Sequence, residues 1–93
     1  MANAIVTLRI MPEDVDVDLE KVKVEANKIL DGEVGGGDRR EEIVPVAFGL
    51  KALNLIFVMD EQNGSPDPIA DKVRDGIEGV RSVEVTDVRR AVG

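Results

Sequence analysis

A chain of 93 residues makes one domain with a modest core, and 43% hydrophobic with 33% charged residues reads as globular rather than disordered. Nineteen acids against twelve bases give a net charge of −7, which opposes phosphate backbones and suits either a basic protein partner or plain solubility. With no cysteine and no histidine, the sequence excludes a disulfide framework, thiolate or imidazole metal centres, and hydrolases that depend on either residue.

The chain opens without a secretory signal: Met1-Ala2-Asn3 lacks a basic region and Arg9 breaks the apolar segment that follows. No window approaches the roughly 20 apolar residues of a membrane helix. The expectation is a cytoplasmic protein with no membrane partner. Ala4 to Met11 then reads as a strand with Ala4, Val6, Leu8 and Ile10 on one face, ended by Pro12. Asp16 to Leu30 reads as a helix, capped by Asp16 or Asp18, with Leu19, Val22, Ala26 and Ile29 at helical spacing and Gly32 as its stop. Gly35-Gly36-Gly37 is a flexible loop.

A long apolar run, Pro45 to Asp60, follows and is divided by Gly49. It yields two strands, Arg39–Ala47 and Leu50–Asp60, joined by a turn. Pro45 lacks a ladder donor and puts the first strand at a sheet edge. Ala52 to Met59 is apolar on nearly both faces, which suits a central strand. Both aromatics of the chain, Phe48 and Phe57, lie in this run, with Phe48 at the lip of the turn. Ser65 caps a second helix with Pro66 at its first position; Ile69, Val73 and Ile77 form its apolar stripe and Gly79 ends it. Val80 to Val88 is a fourth strand, and Arg89 to Gly93 a tail. The order β-α-β-β-α-β gives a single α+β domain over residues 1–93. It is ferredoxin-like, with two helices on one face of a four-stranded antiparallel sheet.

Several chemistries fail on their residue requirements. The glycine triplet is followed by Asp38 rather than the Lys of a phosphate loop. Asp14, Asp16 and Asp18 resemble the start of a calcium loop, but Leu19 and Glu25 stand where its glycine and glutamate belong, so helix capping explains the acids. RNA recognition on this fold needs exposed strand aromatics, metal carriage needs a pair of cysteines, and an acylphosphatase needs an arginine-bearing loop where Met11-Pro12-Glu13-Asp14 stands. On spacing alone, Phe48 packs beside Gly49 at the sheet edge and Arg89-Arg90 are solvated tail residues.

Pro45-Val46-Ala47-Phe48-Gly49-Leu50-Lys51-Ala52-Leu53, with the strand that follows and ends in acid, resembles the signature of the translation elongation factor 1-beta family. The ending Gly76 to Arg90 is similar to its archaeal branch, and Ile10-Met11-Pro12-Glu13 with Asp16 to Leu19 fits as well. The resemblance covers essentially the whole chain. It implies guanine nucleotide exchange on the GTPase elongation factor 1-alpha, with GDP, GTP and magnesium held by that partner, no cofactor and no direct nucleic-acid contact. It implies no bond chemistry, and a free monomer. The residues it singles out as partner-binding are Phe48, Gly49, Lys51, Arg89 and Arg90. In eukaryotic relatives a lysine near the C-terminus is thought to disturb the partner's magnesium site. Arg90 stands at that position here, and its planar guanidinium is not interchangeable with an ammonium. The competing reading is a small ferredoxin-like regulatory or oligomerising ligand-binding module, which predicts strand-paired oligomers.

Overall fold

The computed structural model describes residues 3–91. Four strands and two α-helices run in the expected order, with a short 3-10 turn, Glu61–Asn63, after the third strand: β1 (Asn3–Pro12), α1 (Leu19–Val34), β2 (Arg39–Ala47), β3 (Leu50–Asp60), α2 (Asp67–Gly76) and β4 (Val80–Ala91). The sheet order is β2-β3-β1-β4, with every neighbouring pair antiparallel. This is the ferredoxin-like α+β arrangement. β3 is central and β2 lies at an edge, as the apolar run and Pro45 predict.

Alternation in the strands decides where the core lies. Ala4, Val6, Leu8 and Ile10 of β1 face the same side as Leu53, Leu55, Phe57 and Met59 of β3, and all are buried. Val22, Ala26 and Leu30 of α1 and Ile69, Ala70 and Val73 of α2 close over them in one cluster. Phe57, 1% exposed, is the largest side chain at its centre. Ile5, Ile56 and Val58 line the uncovered face of the sheet and are half-buried.

The helix ends differ from the expectation. Asp18 caps α1, its carboxylate accepting the Glu20 N–H at 3.0 Å. The helix then runs through Gly32 and stops before Gly35. Glycine inside a helix costs about 1 kcal/mol relative to alanine. That cost is offset because the extra turn brings Val34 against the core. The Ser65 hydroxyl accepts the Asp67 N–H at 3.1 Å, but the N-cap of α2 is Pro66 rather than Ser65, its carbonyl accepting the Ala70 N–H at 3.1 Å, and the helix closes at Gly76 rather than Gly79. Ile77 leaves the helix with extended backbone and buries its side chain there.

The largest departure is at the C-terminal end. Arg89, Arg90 and Ala91 are not a tail: Arg89 lies opposite Ile5, Arg90 opposite Ala4 and Ala91 opposite Asn3. β1 begins at Asn3, so its backbone donors and acceptors on that side remain available, and β4 continues until they are taken. Val92 and Gly93, the rest of the expected tail, lie outside the described residues.

Candidate partner-binding surfaces

The β2–β3 connection is a two-residue turn, and both of its residues, Phe48 (φ 53) and Gly49 (φ 78), have positive φ. That is the signature of a type I′ hairpin, whose twist matches the strands it joins. Glycine adopts this backbone freely. Phenylalanine does so at a cost of about 1–2 kcal/mol. Phe48 recovers nothing through packing: its relative exposure is 102%. The reading of Phe48 as packed beside Gly49 is therefore wrong. The largest side-chain type in this chain sits in a strained conformation, wholly in solvent.

Lys51 is the second residue of β3, exposed and opposite Pro45. Its register puts it on the helix-bearing side, where it borders a groove with Ile43 and the loop between β1 and α1. Phe48, Gly49 and Lys51 thus form one cluster at one end of the sheet.

Arg89 and Arg90 are at the other end. Leu50 to Met59 is nine residue-to-residue steps along β3, and Met59 is in register with Ala4, which faces Arg90. At about 3.3 Å per residue the two clusters stand about 30 Å apart, within a molecule 42 Å in its longest dimension. Alternation also separates the two arginines. Arg90 lies on the side of the helices with Ala4, and Arg89 on the uncovered face with Ile5. Each meets one acid. Nε of Arg89 approaches Oδ2 of Asp87 at 2.8 Å, and Nε of Arg90 donates to Oε1 of Glu61 at 2.9 Å. That hydrogen bond and the charge of Glu61 raise the Arg90 pKa, so the guanidinium stays charged. The bond uses Nε and, among the described residues, leaves both terminal nitrogens available.

Sequence reasoning missed Glu61, because the contact spans 29 positions and depends on a single 3-10 turn, Glu61–Asn63, that follows β3. It also passed over Val15, an apolar residue between Asp14 and Asp16 that is 60% exposed. The acids around it are locally engaged: Asp14 accepts the Asp16 N–H at 2.8 Å, which supports turn formation and capping over a calcium loop. A groove larger than the one beside Lys51, about 490 Å³, runs between α1 and the turn after α2, but none of the expected contact residues borders it.

Residues 5–91 match the family model described as the EF-1 guanine nucleotide exchange domain. The chain belongs to this family. Elongation factor 1-beta of Staphylothermus marinus is 44% identical over 93 residues, covering 97% of this chain and 98% of the relative. The proteins of the same name from Methanothermobacter thermautotrophicus and Methanococcoides burtonii are 41% and 38% identical. They cover 97% and 99% of the chain, and 98% and 100% of their own length. Membership in the exchange family gives the chain its role in guanine nucleotide exchange during translation elongation. Among the described residues of this exchange domain, no helix is long and apolar enough to cross a membrane.

Proposed function

We propose that the chain acts as a single exchange domain that speeds replacement of GDP by GTP on elongation factor 1-alpha. The match of residues 5–91 to the exchange family carries this reading. The domain makes and breaks no bond. It binds the nucleotide-free GTPase more tightly than the loaded one, and by linkage it weakens nucleotide binding by the same factor. A thousandfold weaker hold on GDP requires about 4 kcal/mol of such preference.

The arrangement of the expected contacts supports a partner that reaches along the whole sheet. Phe48 with Gly49 and Lys51 forms one contact, and Arg89 with Arg90 the other, about 30 Å away by strand geometry. Phe48 supplies a rigid apolar anchor at little conformational-entropy cost, the residue type that fills a pocket on a partner. Arg90 supplies a permanent cation that competes electrostatically with a magnesium ion held by the partner's phosphates. Nucleotide and magnesium remain the partner's ligands throughout.

In this reading the free protein is a cytoplasmic monomer. Edge strand β2 supports that: it carries Arg39, Arg40, Glu41 and Glu42, Pro45, and a register irregularity between Pro45 and Ala47, all of which discourage pairing with a second sheet. The test is release of a fluorescent GDP analogue from purified archaeal elongation factor 1-alpha at catalytic amounts of the protein. Strong acceleration is expected. Unchanged release, with both proteins folded, would refute the reading.

A further inference from the structure

We propose that Asn63-Gly64 is a self-modifying site: the chain converts Asn63 to aspartate and isoaspartate there, and the product weakens the contact that Arg90 makes with the GTPase. The modification stands on the loop itself; its consequence rests on the exchange reading above.

Asparagine is chemically labile where the next backbone nitrogen can reach its side-chain amide. Here the Gly64 nitrogen attacks Cγ of Asn63. The new N–Cγ bond closes a five-membered succinimide, the Cγ–Nδ2 bond breaks, and ammonia leaves with the proton that Gly64 gives up. Water then opens the ring. Cleavage at Cγ gives aspartate. Cleavage at the main-chain carbonyl gives isoaspartate, whose main chain is one carbon longer. Both products carry a carboxylate where a neutral amide stood, and water is the one co-reactant.

The fold selects this asparagine from the four in the sequence, Asn3, Asn27, Asn54 and Asn63. Asn3 begins β1, Asn27 lies within α1 and Asn54 within β3. The nitrogens that would attack there, those of Ala4, Lys28 and Leu55, are held in a strand or a helix and carry side chains. Asn27 is also tied through its own amide, to Glu41 at 3.1 Å and Arg39 at 3.3 Å. Asn63 differs in each respect. It closes a single 3-10 turn that buries no residue, and it is exposed together with Gly64 and Ser65. Its side chain has no hydrogen bond among the described residues. Gly64 has no side chain to hinder ring closure, and nothing lies within 4 Å of where its Cβ would stand. Its N–H is held by the Glu61 carbonyl at 3.2 Å, a contact at the end of an exposed turn that opens at little cost.

The same turn carries Glu61, whose Oε1 accepts Nε of Arg90 at 2.9 Å. Asn63 follows Glu61 by two residues, about 4 Å of 3-10 rise. A carboxylate there adds a second negative charge to the turn that pairs with Arg90, and so reduces the positive field the guanidinium presents to a partner.

The experiment incubates the folded protein at neutral and at mildly alkaline pH, then cleaves it after glutamate, which separates Asn63 from Asn54. The segment with Asn63 should gain about 1 Da. The gain should be faster at alkaline pH, because the Gly64 nitrogen must shed its proton, while the segments with Asn27 and Asn54 keep their mass. Protein isoaspartyl methyltransferase should label the incubated wild type but not Asn63→Gln. In the GDP-release assay run as a titration, Asn63→Asp and the incubated wild type should each raise the half-saturating concentration about two- to threefold at low salt, the scale of one charge acting through water within a screening length of about 10 Å. Asn63→Gln should match fresh wild type. Circular dichroism establishes that each sample is folded. Constant mass at Asn63, or a gain no faster than at Asn54, would overturn the site. A gain in mass with both titration curves unmoved would overturn the consequence for Arg90 and leave the exchange reading standing. Absence of stimulation by fresh wild type would refute the exchange reading and that consequence with it, and the mass alone would then decide the site.

Discussion

Phe48 is costly where it stands, and that cost separates stability from function. Asparagine tolerates the left-handed region and Asn-Gly is a favoured pair for this turn. Phe48→Asn should therefore raise stability by up to about 1 kcal/mol, read from urea unfolding midpoints. The same substitution removes the exposed ring and should weaken stimulated GDP release at least tenfold. A loss of both properties would mean that Phe48 is structural. Arg90 gives a second residue-scale prediction. Its ion pair with Glu61 offsets the positive charge the guanidinium would bring to a partner, so Glu61→Gln should accelerate exchange at low salt. The gap from wild type should close near 1 M salt, where the screening length falls to about 3 Å. The ring at the turn was legible in the sequence, because Gly49 breaks an apolar run that holds both aromatics. The pairing of Arg90 was not, because it depends on how far β4 extends along β1.

At the scale of elements, what local pattern reveals and what it hides divide cleanly. Strand faces follow period-two alternation, and Ala4, Val6, Leu8 and Ile10 are all buried as that period requires. Caps depend on short-range bonding, so Asp18 is found where the sequence suggests, although α2 takes its cap at Pro66, one residue past Ser65. Ends decided by tertiary packing are not visible locally. Val34 draws α1 past Gly32, and the open ladder of β1 draws β4 past Val88. Gly79 shows why a glycine can be misread as a helix stop when its duty is elsewhere. It has φ 89, its carbonyl accepts the Glu13 N–H at 2.9 Å, and a Cβ there would stand 3.2 Å from Cγ1 of Val17. Gly79→Ala should cost about 1–3 kcal/mol through backbone strain and crowding of Val17, measured by chemical denaturation. No loss of stability would show that the turn relaxes freely.

The whole molecule combines a small core with two distant contact ends. A domain of this size has about 5–15 kcal/mol of net stability at most, and Phe57→Ala, by emptying the centre of its cluster, should remove about 3–5 kcal/mol of it. Thermal unfolding would record a large fall in midpoint, and activity would fall with the folded fraction rather than through any contact. The contact ends should behave independently. Phe48→Ala and Arg90→Ala lie about 30 Å apart with no shared neighbours, so their effects on the log of exchange efficiency should add within about 0.5 kcal/mol. Marked non-additivity would indicate that the partner couples the two ends through a conformational change.

The place of β1 has a consequence for synthesis. It precedes the other strands in the sequence, yet it is an interior strand, and both of its neighbours come later: residues 53–60 on one side and 80–91 on the other. While a ribosome extends the chain, the apolar face of β1 therefore waits through some forty residues of intervening chain for its first pairing and through the rest for its second. Distant pairings of this kind slow folding and lengthen the exposure of unpaired strand. The sheet is completed from its middle outward only when the final strand emerges, so truncation from the C-terminal side should remove an edge from the oldest part of the structure rather than trim a periphery.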